Sequence, residues 1–132
     1  MIGIVDLSHV TVILPALNEA AALPTALASF PPEVDLLVVD NGSTDQTAAV
    51  AAAHGARVVQ EPRRGFGAAC WAGVQAAQHA EVVAFADADG SFDGADLAAV
   101  AGPATSRGPC RRWRCWRTGC SGWPAACCSG CR

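Results

Sequence analysis

The feature that most constrains this chain is a regular alternation of short β-branched runs with alanine-rich stretches of helical period. Runs at residues 10–14, 35–39, 57–60 and 81–86 read as strands. Between the first two, Leu23, Leu27 and Phe30 recur at the spacing of one helix face, and Pro24 suits the first turn of that helix. Further helices are expected at residues 47–54, 67–79 and 94–101, with Ser43 or Thr44 as the cap of the second helix and Gly55 as its stop. Strand then helix, repeated, is the pattern of βαβ units on a parallel sheet. The strands are continuous apolar runs, as expected where helices cover both faces.

Composition sets a boundary on this pattern. All 12 acidic residues lie in residues 1–103, together with only three arginines, Arg57, Arg63 and Arg64. Residues 104–132 carry six arginines, six cysteines and no acid, and no Val, Leu, Ile or Phe follows Val100. One fold rarely mixes two such regimes, so residues 1–103 are expected to form one folded part and 104–132 a separate tail. Within the tail only Cys128 and Cys131 have C-x-x-C spacing, which argues against a zinc module. Arginine interleaved with Trp113, Trp116 and Trp123 could contact nucleic acid, but no recognisable module accompanies them, and no nucleic-acid partner is expected. Arg, Cys, Trp, Gly, Ser, Pro and Ala are what a shifted GC-rich frame encodes, so the tail reads as disordered or frameshift-derived. No apolar run reaches the roughly 20 residues that span a bilayer, and the start of the chain lacks the pattern of a signal peptide. The expected location is cytoplasmic.

Four polar stretches, PALNEA, DNGSTD, EPRRGFG and DADG, each follow a strand directly. On a parallel sheet they must share the carboxyl edge, where such sheets bind ligands. Asp40 ends its strand, where a carboxylate can accept from a ribose hydroxyl or a base N–H, and Asn41 and Gly42 make the turn. The same stretch is equally a plain junction in which Asp45 satisfies free amides. Pro15 fixes the course of the first loop, and Glu19 beyond it could line one wall with Asp40. Arg63 and Arg64, followed by glycines and a helix start, suit an anion, though a turn with solvated arginines explains them too. Asp87 and Asp89 are two apart, so in extended chain they share a side and Ala88 takes the other. Two such carboxylates suit a hard divalent ion beside a diphosphate, while a lone D-x-D is also a common solvated turn. His9, His54 and His79 show no ligand spacing, and Cys70 and Trp71 read as packing residues.

Together these stretches resemble glycosyltransferase family 2, nucleotide-sugar enzymes of the GT-A fold. ILPALNEAAAL is similar to the family's P-x-x-N-E segment, and LLVVDNGSTDQT to its V-D-D/N-G-S-T-D-x-T segment. RRGFGAACWAG is similar to its R/N-x-G-x-x-x-A-x-x-x-G segment, and FADADG to its D-x-D signature. The resemblance implies an α/β fold, a Rossmann-like GT-A open parallel sheet with flanking helices, truncated after the D-x-D strand. It implies that Glu19 and Asp40 contact the nucleoside, with Pro15, Asn18, Asn41 and Gly42 around them, and that Arg64 and Gly65 lie near the phosphates. Asp87, Ala88 and Asp89 would hold ribose, diphosphate and a Mg²⁺ or Mn²⁺ ion, with both aspartates as metal ligands. The implied donor is a UDP- or GDP-sugar, and the arginine-glycine form of the third motif looks like the branch whose acceptor is a polyprenyl phosphate at the inner membrane face. That acceptor is already an anion, so inverting in-line transfer to it needs no general base. Full members of the family continue well past this point, and nothing after Val100 resembles their acceptor half. Two rivals stand beside this reading. A sugar-phosphate nucleotidyltransferase should carry a glycine- and arginine-rich loop with a lysine after its first strand, which PALNEA lacks. A nucleotide-binding remnant would bind a donor and turn nothing over.

Overall fold

The computed structural model describes residues 6–101, so the tail at 104–132 lies outside the described residues. Four parallel strands form one sheet in the order β3-β2-β1-β4, with β1 at Val10–Ala16, β2 at Asp35–Asp40, β3 at Arg57–Gln60 and β4 at Val82–Phe85. Helices α1 (Leu23–Ala28), α2 (Thr47–Ala53) and α3 (Phe66–Ala76) connect them, and a 3₁₀ turn at Gly94–Asp96 leads into α4 (Leu97–Ala101). This is the Rossmann-like open sheet expected of a GT-A domain.

Alternation along β1 and β2 builds two cores. Val12, Leu14 and Val38 pack with Leu23, Leu27, Ala51 and Leu97 from α1, α2 and α4 on one face. Ile13, Leu37 and Val39 pack with Ala69 and Ala77 of α3 and its exit on the other. The central strands are therefore buried on both faces, as continuous apolar runs predict. The outer strands differ: β3 and β4 are only half-buried at their middles and exposed at both ends, and among the described residues no further strand flanks either one.

Strand β1 runs two residues further than its sequence suggests, through Pro15. Ile13 accepts from Ala86 N–H on the β4 side, and Ala16 accepts from Asn41 N–H on the β2 side. Pro15 shares the parity of Ile13, so its missing N–H falls on the side where the β4 ladder has already ended at Phe85. A proline costs the sheet nothing there.

Helix α1 is shorter than expected, since Ser29 closes it with its hydroxyl on Ala26 O and Pro31 and Pro32 follow Phe30. Phe30 is nonetheless buried and stacks on Phe92 with ring centroids 6.1 Å apart. Helix α3 begins one residue early and ends three before the expected stop. The last helix is split, because Asp93 accepts from Ala95 N–H and tightens the first turn.

Connections run from β1 outward to β2 and β3, then back across the sheet to β4 on the far side of β1. The strand order therefore reverses at β1. A crevice outside the carboxyl ends of β1 and β4 is the topological switch point of this sheet.

Candidate functional site

A cleft of about 310 Å³ occupies that switch point. Behind β1 it is walled by Pro15, Ala16, Leu17 and Glu19, and behind β2 by Asn41. The turn into α3 contributes Arg64, Gly65, Phe66 and Ala69, and the turn after β4 contributes Asp87, Ala88 and Asp89. All four strand-end stretches named from the sequence thus reach one pocket edge, three of them through side chains that carry charge.

Asn18, Asp40 and Gly42 are not among the lining residues. Asp40 is buried, and its Oδ1 accepts from Ser43 N–H at 2.9 Å. Gly42 turns the chain at a positive φ outside the cleft. Asn18 stitches the first loop to the second: its N–H donates to Ser43 Oγ at 2.9 Å and its Oδ1 accepts from Thr44 N–H at 2.8 Å. Ser43 and Thr44 are thereby spent on Asn18 and do not cap α2, whose N-cap position is Gln46. Asp45 takes the amide role, accepting from Thr47 N–H at 2.9 Å and from Ala20 N–H at 3.2 Å.

Thr47, which sequence reasoning passed over, is fully buried and accepts from Glu19 N–H at 3.0 Å while its hydroxyl donates to Asp45. It fixes the backbone of Glu19 where that residue enters the cleft. The signal available in the sequence was the threonine two places after Asp45, already visible as the end of the D-x-T pattern. Leu17 and Phe66 were also missed; both are exposed and line the cleft, and nothing in their local pattern marks them.

The two arginines separate. Arg63 is turned onto Glu61, with Nε to Oε1 at 3.1 Å and Nη2 to Oε2 at 3.2 Å, and its N–H donates to Oε1 as well. These bonds hold the Glu61 carboxyl below the ordinary glutamate range, and they answer the charge of Arg63 within its own loop. Of the two arginines that the sequence offers to an anion, Arg64 alone lines the cleft. Beside it, Gly65 has φ +128°, a backbone conformation that side chains rarely adopt. It is the N-cap of α3 with no side-chain cap, and its carbonyl accepts from Ala69 N–H. The first amides of α3 are thus left to solvent or a ligand at the end of a helix of 11 residues.

Asp87 and Asp89 are exposed while Ala88 between them is buried, so the pair does share a side. Asp89 Oδ1 accepts from Ser91 N–H at 2.9 Å, and bonds to Ser91 hold its carboxyl below the ordinary aspartate range. Burial, and then the nearby Asp87 carboxylate, push the Cys70 thiol up, which makes it a poor nucleophile. Among the described residues no cluster of three or more His, Cys, Asp or Glu side chains forms a closed metal cage. Two hard carboxylates at an open cleft instead suit Mg²⁺ or Mn²⁺, which keep waters and share phosphate oxygens. A second cavity of about 260 Å³ lies at the opposite edge of the sheet, where Arg57 is already paired with Asp35 at 2.6 Å. No helix among the described residues is long and apolar enough to cross a membrane.

Residues 11–109 match the family model for glycosyl transferase family 2. The chain belongs to glycosyltransferase family 2. Among curated proteins, a family relative described as an uncharacterised glycosyltransferase of Mycobacterium tuberculosis is 59% identical over 88 residues, covering 67% of this chain. The chain spans 40% of the length of that relative. Among solved structures, glucosyl-3-phosphoglycerate synthase of the same organism superposes with a TM-score of 0.54 at 40% identity, over 60% of this chain and 32% of its own. One of its crystals holds Mn²⁺, UDP-glucose and phosphoglyceric acid, and another holds Mg²⁺ and UDP. Residues 6–101 of this chain hold an open parallel sheet, a cleft at its switch point and the carboxylates of Asp87 and Asp89 on that cleft.

Proposed function

We propose that this family 2 domain binds a UDP-sugar together with Mg²⁺ or Mn²⁺ in the switch-point cleft, as the nucleotide-binding part of a glycosyltransferase. The observation that carries the reading is the charge arrangement of the cleft. Among the described residues, Glu19, Asp87 and Asp89 line it against a single cation, Arg64. A nucleoside diphosphate would meet more negative than positive charge there unless a divalent ion entered with it, and Asp87 and Asp89 are the residues that would hold that ion. The ion supplies electrostatic stabilisation of the departing diphosphate.

The remaining tasks fall to the chain itself. The open amino end of α3 and Arg64 draw the diphosphate. Glu19, fixed by Thr47, lies on the β1 side of the same cleft, where a nucleoside hydroxyl or base N–H can reach it. Asp40 keeps one oxygen bonded to Ser43 N–H and stands behind that wall as a support for the β2 turn. UDP is favoured over GDP because the solved synthase carries UDP.

For the acceptor, the small phosphorylated acid of that synthase is the better guide than polyprenyl phosphate. The one feature pointing to polyprenyl phosphate was the arginine-glycine motif. Arg64 and Gly65 line the same cleft as Asp87 and Asp89, so they speak to the donor diphosphate rather than to the acceptor.

Titration of the full chain with UDP, by calorimetry in Mn²⁺ and again after chelation, tests the donor reading. Binding that requires the metal and is stronger for UDP than for GDP is the expected result. Metal-independent binding, or none, would sink it.

A further inference from the structure

The geometry points to Asn41 as the positioning residue of the cleft, an amide clamp that fixes the Arg63–Gly65 turn and so aims Arg64 and the amino end of α3 at the diphosphate. The inference rests on the donor reading for its purpose but on hydrogen bonds alone for its geometry.

Asn41 is 6% exposed, and every strong bond of its side chain is made to the loop that follows β3. Its Nδ2 donates to Glu61 O at 2.9 Å and to Arg63 O at 2.7 Å, and its Oδ1 accepts from Gly65 N–H at 2.8 Å. An amide has two N–H donors, and both are used. Asn41 therefore borders the cleft without a donor left to give a ligand, although its sequence position suggests a direct contact. Its own backbone is set by the sheet, with Asn41 N–H on Ala16 O at the end of the β1–β2 ladder. The clamp thus transmits the position of the two central strands to the turn that carries Arg64.

Arg64 sits between two clamped residues. Arg63 O is bonded on one side of it and Gly65 N–H on the other, and Glu61 secures Arg63 a second time through its guanidinium. With the backbone held on both flanks, Arg64 is kept on the cleft wall, and Gly65 at the φ that opens α3 toward it.

The family segment allows aspartate at this position, but in this chain's loop the clamp uses both ends of the amide. A carboxylate at this position could still accept from Gly65 N–H, but it would set an oxygen against the two carbonyls of Glu61 and Arg63, with no donor for either and a buried charge between them. Asn41→Asp is close to isosteric and discriminates between a clamp and a space-filling side chain.

The experiment is a double-mutant cycle on the full chain, read as UDP affinity in Mn²⁺, with Asn41→Asp, Arg64→Ala and the pair. Asn41→Asp is expected to weaken UDP by about tenfold or more. The pair should lose little beyond the weaker of the two single variants, because Asn41 acts through the turn that carries Arg64. UDP affinity unchanged in Asn41→Asp, or losses that multiply independently, would overturn the clamp. A merely structural asparagine would lower thermal stability and leave the losses independent.

A second measurement needs neither variant nor ligand. Gly65 is exposed, yet its amide is bonded to Asn41 Oδ1, so hydrogen exchange at Gly65 N–H in the unliganded chain should be slowed relative to Arg64 N–H. Exchange of both at the free-chain rate would refute the geometry even if Asn41→Asp fails to fold. Slowed exchange at Gly65 with no UDP binding by the wild-type chain would keep the clamp and overturn the donor reading, so the two ideas fail separately.

Discussion

Arg63 and Arg64 are neighbours with the same side chain and different work, and the difference lies in what each finds within reach. Glu61 captures Arg63 through three bonds, so its charge is answered inside the loop, while Arg64 lines the cleft. The aspartates after β4 divide in the same way. Asp87 and Asp89 line the cleft, but Asp93, exposed outside it, accepts from Ala95 N–H at the start of the 3₁₀ turn. Asp87→Ala and Asp89→Ala should each weaken Mn²⁺-dependent UDP binding by about tenfold or more, at roughly 1.4 kcal/mol per factor of ten. Asp93→Ala should leave affinity alone and cost about 1 kcal/mol of stability as a lost cap. Calorimetric titration beside thermal denaturation separates the two outcomes. Equal affinity in all three variants would remove the metal from Asp87 and Asp89. The identities of these side chains were legible in the sequence because four motifs ended four strands. Which arginine faced outward, and that Asn18 and Asp40 would be committed to loop bonds, was not, since both depend on partners more than twenty residues away or on a turn's final geometry.

At the scale of elements, α3 holds two glycines with opposite meanings. A Cβ on Gly73 would collide with Ile13 of β1 and crowd Val39 of β2 at 3.2 Å, so the helix lies on the sheet where only a hydrogen fits. A Cβ on Gly67, the second residue of the same helix, meets nothing within 4 Å. Gly73→Ala should therefore destabilise by about 1–3 kcal/mol through overpacking. Gly67→Ala should stabilise by about 0.5–1 kcal/mol through helix propensity. Thermal unfolding of both variants checks the pair, and a shared sign would contradict the close approach. The element pattern itself was readable where one physical signal dominated: β3 has its expected bounds, and α2 starts at Thr47 and stops one residue before the expected end, ahead of Gly55. It misled where tertiary partners intervened. Pro15 looks like a strand terminator, but the ladder it could interrupt has already finished. Ser43 and Thr44 look like caps until Asn18, at φ +58°, comes within bonding distance.

Among the described residues of the molecule, β4 ends the sheet, and its own Val82 and Phe85 are exposed, as are Trp71 and Phe66 on α3. An unpaired strand edge with apolar side chains next to it is a surface that associates. The full chain should self-associate as concentration rises, measurable by light scattering, and Phe85→Lys should suppress that association. A strictly monomeric wild-type chain across the concentration range would speak against an open β4 edge. Around the cleft, the loops behind β1, β2 and β3 are sewn into one collar by Asn18, Thr47 and Asn41. The Asp87–Asp89 turn is joined to the rest differently, through the β4 ladder as far as Ala86 and through Gly94 N–H on Ser29 Oγ at 3.0 Å. Core packing of Ala88 and of Phe92 on Phe30 anchors that turn from beneath, so the cleft has three walls bonded to one another and a fourth held from the core, with its seam between Arg64 and the aspartates. A diphosphate and its ion, held by Arg64 on one side and by Asp87 and Asp89 on the other, would work as a rivet across that seam, so ligand binding in this chain would join two walls as well as neutralise charge.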